Sequence, residues 1–101
     1  MDGAASLAEA RYRIFETERF RKDLDALTSA VQARLHKKLT AFVYPLLREE
    51  PHHGFWIRKL GGYQPETWRF RVGPWRIFFE IDERQRIVFM TAVDDRKDAY
   101  R

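Results

Sequence analysis

At 101 residues, 45% of them hydrophobic, the chain can form one hydrophobic core but not two. It contains no cysteine, which excludes disulfide bonds and thiolate metal sites and fits a reducing cytoplasm. Its net charge of +4 at pH 7 permits a polyanionic partner. No stretch approaches the ~18 apolar residues of a membrane-spanning helix, so we expect no membrane partner.

The N-terminal part of the chain predicts a leader and one strand. Residues 1–10 are small and polar, so we expect a flexible leader ahead of a single domain over residues 11–101. Arg11 to Glu16 is typical of a strand, with Tyr12 and Ile14 on one face.

Two helices are predicted next. Thr17 can cap the first helix, whose apolar stripe consists of Phe20, Leu24 and Leu27. Thr28-Ser29 interrupts this helix and caps a second one, whose stripe consists of Val31, Leu35, Leu39, Phe42 and Leu46. Pro45 should kink or end the second helix, because its ring removes a hydrogen bond and clashes with the preceding turn.

The remainder of the chain predicts a sheet. After a loop at Glu49 to Gly54, the four strand-like runs are Phe55 to Leu60, Thr67 to Val72, Trp75 to Ile81 and Arg86 to Val93. The last run is apolar on both faces, which favours a position inside the sheet. This order predicts an α+β fold: an N-terminal strand, a helical hairpin, and an antiparallel meander of three to four strands in one sheet, with the helices on one face.

Arginines alternate with large apolar residues in two of these strands. Arg69 and Arg71 lie between apolar residues in one strand, and Arg76 does so in the next. The apolar rows must face the same core, so the three arginines share the opposite face. If Gly73-Pro74 is a two-residue hairpin connection, Arg71 lies directly across from Arg76. Like charges in that position destabilise a sheet, which indicates a binding or catalytic site, and clustered guanidiniums suit a phosphate.

The tail adds candidates to this cluster. If the last strand pairs with Trp75 to Ile81, its end returns toward Arg76 and brings Arg96 and Tyr100 near. Four arginines could hold a phosphodiester, while Tyr100 and Phe78 could stack on unpaired RNA bases. Arg58 and Lys59 are further candidates for contacts with an RNA backbone.

Alternative interpretations remain open for several of these residues. Arg69 and Arg71 could form a solvated strand face, Arg58 and Lys59 a solubilising edge, and Tyr100 could pack its ring over the sheet. The adjacent His52 and His53 have no partner at metal-ligand spacing, so we expect no metal site.

Taken together, these motifs resemble the RelE/ParE superfamily of toxins from bacterial toxin–antitoxin pairs. The resemblance extends from about Tyr12 to Tyr100. The motifs that carry it are Phe20-x-x-x-Leu24-x-x-Leu27, Arg58-Lys59-Leu60-Gly61-Gly62, Trp68-Arg69-Phe70-Arg71-Val72-Gly73, Trp75-Arg76-Ile77-Phe78-Phe79-Glu80 and Arg96-Lys97-Asp98-Ala99-Tyr100.

The resemblance implies a RelE-like fold and a ribosome-dependent endoribonuclease that cuts messenger RNA and inhibits translation. In RelE-like members the ribose 2′-hydroxyl attacks the adjacent phosphate, without a metal or cofactor. The family's working positions fall on Arg69, Arg71, Arg76, Arg96 and Tyr100. Expected partners are a cognate antitoxin, the ribosome and messenger RNA.

The resemblance also leaves an alternative function open. A ParE-like inhibitor of DNA gyrase, without nuclease activity, shares much of the Trp-Arg-x-Arg-x-Gly pattern but does not need the terminal arginine–tyrosine pair. A relative that only binds an antitoxin is a third possibility.

Two departures from the RelE-like pattern concern the general base. Some members carry lysines where this chain has Arg69 and Arg71, and arginine effectively cannot lose its proton. Many members have a histidine where this chain has Asp95, which could act as the base or hold Arg96.

Overall fold

The structure, a computed structural model, describes residues 11–95, with the backbone alone for Asp95. The predicted leader at residues 1–10, Arg96, Tyr100 and the side chain of Asp95 therefore lie outside the described part of the chain. The elements in chain order are β1 (Arg13–Glu16), α1 (Glu18–Asp25), α2 (Ser29–Lys38), a π-helical turn (Leu39–Val43), α3 (Tyr44–Glu49), β2 (Ile57–Leu60), β3 (Thr67–Val72), β4 (Trp75–Asp82) and β5 (Ile87–Asp95).

Both predicted helix caps are present. Oγ1 of Thr17 accepts a hydrogen bond from the N–H of Phe20 at 3.2 Å, and Oγ1 of Thr28 accepts one from the N–H of Val31 at 3.3 Å. Each threonine satisfies a backbone donor that has no partner within the helix, so each defines where a helix begins. Phe20 on α1 is fully buried.

Pro45 distorts the second helix rather than ending it. The π-helical turn lies directly before α3, and the N–H of Tyr44 bonds to the carbonyl of Leu39, five residues earlier. Pro45 follows at the start of α3, where a missing N–H costs least. The helical chain therefore continues to Glu49, longer than a helix that stops at the proline.

The strands form one five-stranded sheet in the order β1-β5-β4-β3-β2. The predicted α+β class and antiparallel meander are confirmed, and β1 is added at one edge, parallel to β5. β5 lies between β1 and β4, as its two apolar faces indicated.

Several strand boundaries differ from prediction by one or two residues, and two of these differences have a clear local cause. The predicted strand from Phe55 begins only at Ile57, because a turn closed by the Ile57 N–H on the Gly54 carbonyl at 3.1 Å precedes it. The last strand begins at Ile87, because Arg86 has a φ of 59°, which strand backbone does not adopt. The first of these differences leaves Phe55 and Trp56 in the turn.

The core lies between the helices and one face of the sheet. Its sheet side chains are Phe70, Val72, Trp75, Ile77, Phe79, Val88 and Met90, and they pack with Phe20, Leu24, Leu35, Leu39, Val43, Tyr44 and Leu47. The intervening side chains of β3 and β4 project to the opposite face, where Arg69 and Arg76 are half-buried and Arg71 is exposed.

Candidate functional site

The β3–β4 hairpin places two arginines directly opposite each other. Val72 pairs with Trp75, and Arg71 pairs with Arg76, as the two-residue connection predicted. Gly73 has a φ of 55° at the first turn position, where a II′ hairpin turn requires glycine. The turn therefore places two like charges on opposed residues, a pairing that destabilises a sheet.

A second pair of arginines extends this cluster toward the sheet edge. Arg58 on β2 lies directly opposite Arg69 on β3. Because side chains two residues apart share a face, Arg69 and Arg71 project to the same side as Arg58 and Arg76. We call these four side chains the arginine face: Arg58, Arg69, Arg71 and Arg76. Three of them, Arg58, Arg69 and Arg71, line an open depression of about 410 Å³.

Arg76 has a carboxylate partner within the chain. Its Nη2 donates a hydrogen bond to Oδ2 of Asp94, the residue opposite it on β5. Both side chains are about one-third exposed, at 30% and 37%. The end of β5 thus lies beside Arg76, as predicted, and places the negative charge of Asp94 next to it.

The register of β5 depends on a bulge. Phe79 pairs with Met90, but Phe78 pairs with Ala92, which leaves Thr91 as an extra residue. Had the Phe79–Met90 register continued, Val93 would lie opposite Arg76. The bulge instead places Asp94 there.

Phe78 lies on the same side of the sheet, opposite Arg69. It is half-buried and lines a second open depression of about 460 Å³ together with Arg19, Tyr63, Thr67 and Glu80. The ring is therefore accessible beside the arginine face, within the part of the chain that the structure describes.

Lys59 is not brought to the arginine face. It follows Arg58 on β2, so its side chain projects to the opposite side. Its Nζ lies 2.7 Å from Oε2 of Glu66 and 6.0 Å from the ring centroid of Trp68. Glu66 is the only acid between Trp56 and Arg76. Its charge is paired with Lys59 and does not face the arginines.

Sequence reasoning assigned no site role to Phe55 and Trp56. Both line the same depression as Arg58, Arg69 and Arg71. Phe55 is 89% exposed, although a strand over Phe55 to Leu60 would have placed one of the two rings toward the core. Their adjacency in the sequence could have indicated an exposed ring, because two consecutive side chains of a strand cannot both face one core.

His52 also has partners that the sequence did not indicate. Its Nδ1 lies 2.9 Å from Oε2 of Glu50, and its Nε2 contacts Oε2 of Glu83 in the β4–β5 turn. Tyr12 donates from its hydroxyl to Oε1 of Glu83 at 2.7 Å. Burial lowers the pKa of His52, but the hydrogen bonds to Glu83 and Glu50 outweigh it, so its pKa is raised. We call Tyr12, Glu50, His52 and Glu83 the histidine cluster; it ties two loops together.

Within residues 11–95, no helix has the length and apolar character needed to cross a bilayer.

Comparison with known proteins identifies the family. The family model described as the ParE toxin of the type II toxin–antitoxin system parDE matches residues 14–100. A comparison with curated proteins returned no match.

Solved structures with this fold include three RelE proteins. The toxin–antitoxin complex RelBE2 from Mycobacterium tuberculosis superposes with a TM-score of 0.66 at 25% identity, covering 86% of this chain and 93% of that one. The isolated RelE toxin of E. coli gives a TM-score of 0.60 at 24% identity, covering 83% of each chain. The RelE–RelB complex of Pyrococcus horikoshii gives 0.60 at 21%, covering 85% of this chain and 96% of that one. The last two show the fold alone. Because the family model spans most of its length, this chain belongs to the family of ParE toxins of type II toxin–antitoxin systems, within the RelE/ParE superfamily.

Proposed function

We propose that this toxin is a metal-independent endoribonuclease that cuts messenger RNA on the ribosome and so inhibits translation in the cytoplasm. The observation that carries the proposal is the arginine face, four guanidinium groups on one side of two adjacent hairpins. A cluster of like charges costs stability, so its presence favours an anionic ligand that offsets the repulsion.

The arginine face suits the charge that develops during phosphodiester cleavage. When a ribose 2′-hydroxyl attacks the adjacent phosphate, a cyclic phosphate forms, the bond to the 5′ oxygen of the next nucleotide breaks, and that oxygen leaves as a 5′-hydroxyl. During the attack negative charge builds on the non-bridging oxygens. Guanidiniums held in advance by a sheet stabilise that charge without reorganising, and one such donor is worth about 3–4 kcal/mol of barrier in comparable sites. In this proposal Arg76 and either Arg69 or Arg71 have that role.

Proton transfer requires another group, because arginine remains protonated in proteins. The superfamily resemblance implies that Arg96 and Tyr100 are working residues. In this proposal Arg96 helps to hold the phosphate and Tyr100 stacks on an RNA base. Asp95 is the candidate general base next to Arg96 in the sequence. These three side chains lie outside the described residues, so the roles of Arg96 and Tyr100 rest on the resemblance and that of Asp95 on its position in the sequence.

The Asp94 carboxylate keeps Arg76 in place before RNA binds. It restricts the guanidinium to the same face as Arg71, which lowers the ordering entropy lost on binding. A phosphate must then compete with Asp94 for Arg76, while Arg58 and Arg71 add positive charge on the same face.

The proposal is tested by messenger-RNA cleavage in a translating extract. Arg76→Ala should reduce the cleavage rate by about 10²-fold or more, since it removes a charge-stabilising donor. The matched control is Arg13→Ala, an exposed strand arginine on β1, which should cleave as the native chain does. Equal cleavage by native chain and Arg76→Ala would remove Arg76 from the mechanism, and a native chain that leaves transcripts intact would refute the nuclease.

A second candidate function is inhibition of DNA gyrase. The match to the ParE toxin model favours it. The ParE-like alternative also shares much of the Trp-Arg-x-Arg-x-Gly pattern that β3 carries. Expression in cells separates the two: gyrase-dependent DNA damage with intact transcripts would establish the inhibitor and exclude the nuclease.

We also propose a cognate antitoxin as the protein partner. The similar structure from M. tuberculosis is a toxin–antitoxin complex, RelBE2. Co-purification with the product of the adjacent reading frame tests this, and survival of cells that overexpress the toxin alone would indicate a chain that binds an antitoxin without being toxic.

A further inference from the structure

Three aromatic rings form an exposed patch beside the arginine face. Phe55 is 89% exposed, Trp56 is 40% exposed and Phe42 is 38% exposed. The ring centroids of Phe55 and Trp56 lie 4.7 Å apart with an interplanar angle of 88°, and those of Phe42 and Trp56 lie 6.0 Å apart at 76°. We call Phe42, Phe55 and Trp56 the aromatic shelf.

The shelf is held in place by the backbone around it. The N–H of Arg71 donates to the carbonyl of Trp56 at 3.0 Å, so the turn is tied to the strand that carries two of the arginines. Phe42 makes an edge contact with the buried ring of Phe70, with centroids 5.8 Å apart. The backbone of Trp56 and the ring of Phe42 are therefore positioned before any ligand arrives, and Phe55 packs edge-on against Trp56.

Positive charge lies on two sides of the aromatic shelf. On the sheet side, Phe55 and Trp56 line one depression with Arg58, Arg69 and Arg71. On the helix side, a depression of about 450 Å³ is lined by Phe42, Ala41, Arg34, Lys37 and Lys38. The rings thus lie between two groups of cations.

The acids near the shelf already have partners. Glu49 and Glu50 line a smaller hollow with Phe55 and Trp56. Oε2 of Glu49 lies 2.9 Å from Nη2 of Arg11, and Oε2 of Glu50 lies 2.9 Å from Nδ1 of His52. These ion pairs reduce the negative potential that a polyanion would meet there.

We propose that the aromatic shelf stacks the bases of single-stranded RNA whose phosphates lie along the arginine face. Exposed rings between cations match the combination by which proteins hold unpaired nucleic acid, with base stacking on aromatic side chains and a basic surface along the backbone. The inference rests on the proposed function and adds a substrate-positioning surface to it. An apolar protein segment would have to bring its own acids to the same surface, whereas RNA supplies planar bases and negative charge together.

The test is direct binding of an oligonucleotide that cannot be cut. The probe is a fluorescently labelled 2′-O-methyl RNA of about eight adenosines, a length within the range of known single-strand sites, added to the full chain at low salt. Phe55→Ala should weaken binding about 5- to 150-fold, the range that base–aromatic stacking provides. Phe55→Tyr should restore it, because tyrosine keeps the stacking ring.

The matched control is Phe15→Ala. Phe15 on β1 is also an exposed ring, at 55%, and makes an edge contact with Phe89 at 5.6 Å, at the opposite edge of the sheet from β2. Its removal should leave oligonucleotide binding unchanged. A 2′-O-methyl duplex, whose bases are already stacked, should bind the native chain and Phe55→Ala equally.

Each contrary result overturns the inference. Equal single-strand binding by Phe55→Ala and Phe15→Ala would exclude stacking on Phe55, and so would a native chain that does not bind the probe. Loss of antitoxin binding in Phe55→Ala with unchanged oligonucleotide binding would make the shelf a protein-docking surface.

Failure of this inference is distinguishable from failure of the proposed nuclease. If Phe55→Ala binds the probe normally while Arg76→Ala loses cleavage on the ribosome, the aromatic shelf does not stack RNA bases but the nuclease proposal is supported. If probe binding depends on Phe55 but the native chain leaves transcripts intact, stacking on the aromatic shelf is supported and the nuclease proposal is wrong.

Discussion

The guanidinium of Arg76 on β4 is hydrogen-bonded to the carboxylate of Asp94, which lies directly opposite it on β5. Arg71 lies opposite Arg76 on the other neighbouring strand, β3. Arg76 is therefore placed between a like charge and an opposite charge. The carboxylate offsets the repulsion in the free toxin, and it also competes with any phosphate for the same guanidinium.

Asp94→Asn should strengthen binding of single-stranded RNA. The substitution keeps an oxygen acceptor for Arg76 but removes the competing charge. A single strand that gains one phosphate contact shows a salt dependence steeper by about 0.7 in log–log slope. Titration of the 2′-O-methyl oligonucleotide over a series of salt concentrations measures this slope.

The control for that experiment is Glu66→Gln. It changes the net charge by the same amount but removes the partner of Lys59, on the other side of the sheet from the arginine face. Equal slopes for Asp94→Asn and Glu66→Gln would show that only the net charge matters and that Asp94 does not compete for Arg76.

Arg71→Thr should stabilise the fold while impairing cleavage. It removes the like-charge pair with Arg76, and directly opposed pairs in a sheet are worth roughly 0.2–1 kcal/mol. Urea denaturation should show a higher midpoint with an unchanged slope. Arg13→Thr makes the same substitution opposite the uncharged Ile87, so it reports the strand preference of threonine alone. A gain no larger than that of Arg13→Thr would contradict the repulsion.

The histidine cluster should make stability depend on pH. The pKa of His52 is raised, so its stabilisation is fully present below its usual value of about 6.5 and is lost as pH rises through the raised value. The backbone hydrogen bond from His52 lowers the pKa of Glu50. Burial raises the pKa of Glu83, but the hydrogen bonds from Tyr12 and His52 outweigh it and lower that pKa. Both carboxylates therefore lose their stabilisation only as pH falls below about 4.5.

His52→Gln should accordingly lower the free energy of unfolding most between about pH 4.5 and 6.5, and less at alkaline pH. The cost should stay below about 1 kcal/mol, because both carboxylates are at least half exposed to solvent. Urea unfolding at several pH values measures it, with the exposed neighbour His53→Gln as the control. The same cost at acid and alkaline pH would show that His52 acts only through packing.

Phe70→Ala should be severely destabilising. Phe70 is fully buried, lies between Ile57 and Ile77 in the sheet, and contacts the ring of Phe42. Removing such a ring leaves a cavity and costs about 3–5 kcal/mol, a large part of the stability of a domain this size. Phe55→Ala, at an exposed ring, should change stability by less than about 0.5 kcal/mol. A loss below about 1 kcal/mol at Phe70, measured by denaturant unfolding, would place that ring outside the core.

The sequence by itself determined the local geometry of the site. Alternation of apolar and polar residues assigns side chains to faces, and a two-residue turn leaves one pairing register, so the opposition of Arg71 and Arg76 follows from residues 68–79 alone. The caps at Thr17 and Thr28 were equally predictable, because a cap involves residues three apart in the chain.

Only the tertiary structure decided which distant residues meet. The parallel pairing of β1 with β5 and the contact between His52 and Glu83 join segments far apart in the chain, and local patterns carry no information about them. The partner of Arg76 depends on the bulge at Phe78 and Phe79, since a shift of one residue exchanges Val93 for Asp94. The residue pattern of a strand specifies its two faces. The residues that lie opposite it on a neighbouring strand depend on strand order and register, which are set by packing of the whole sheet against the core.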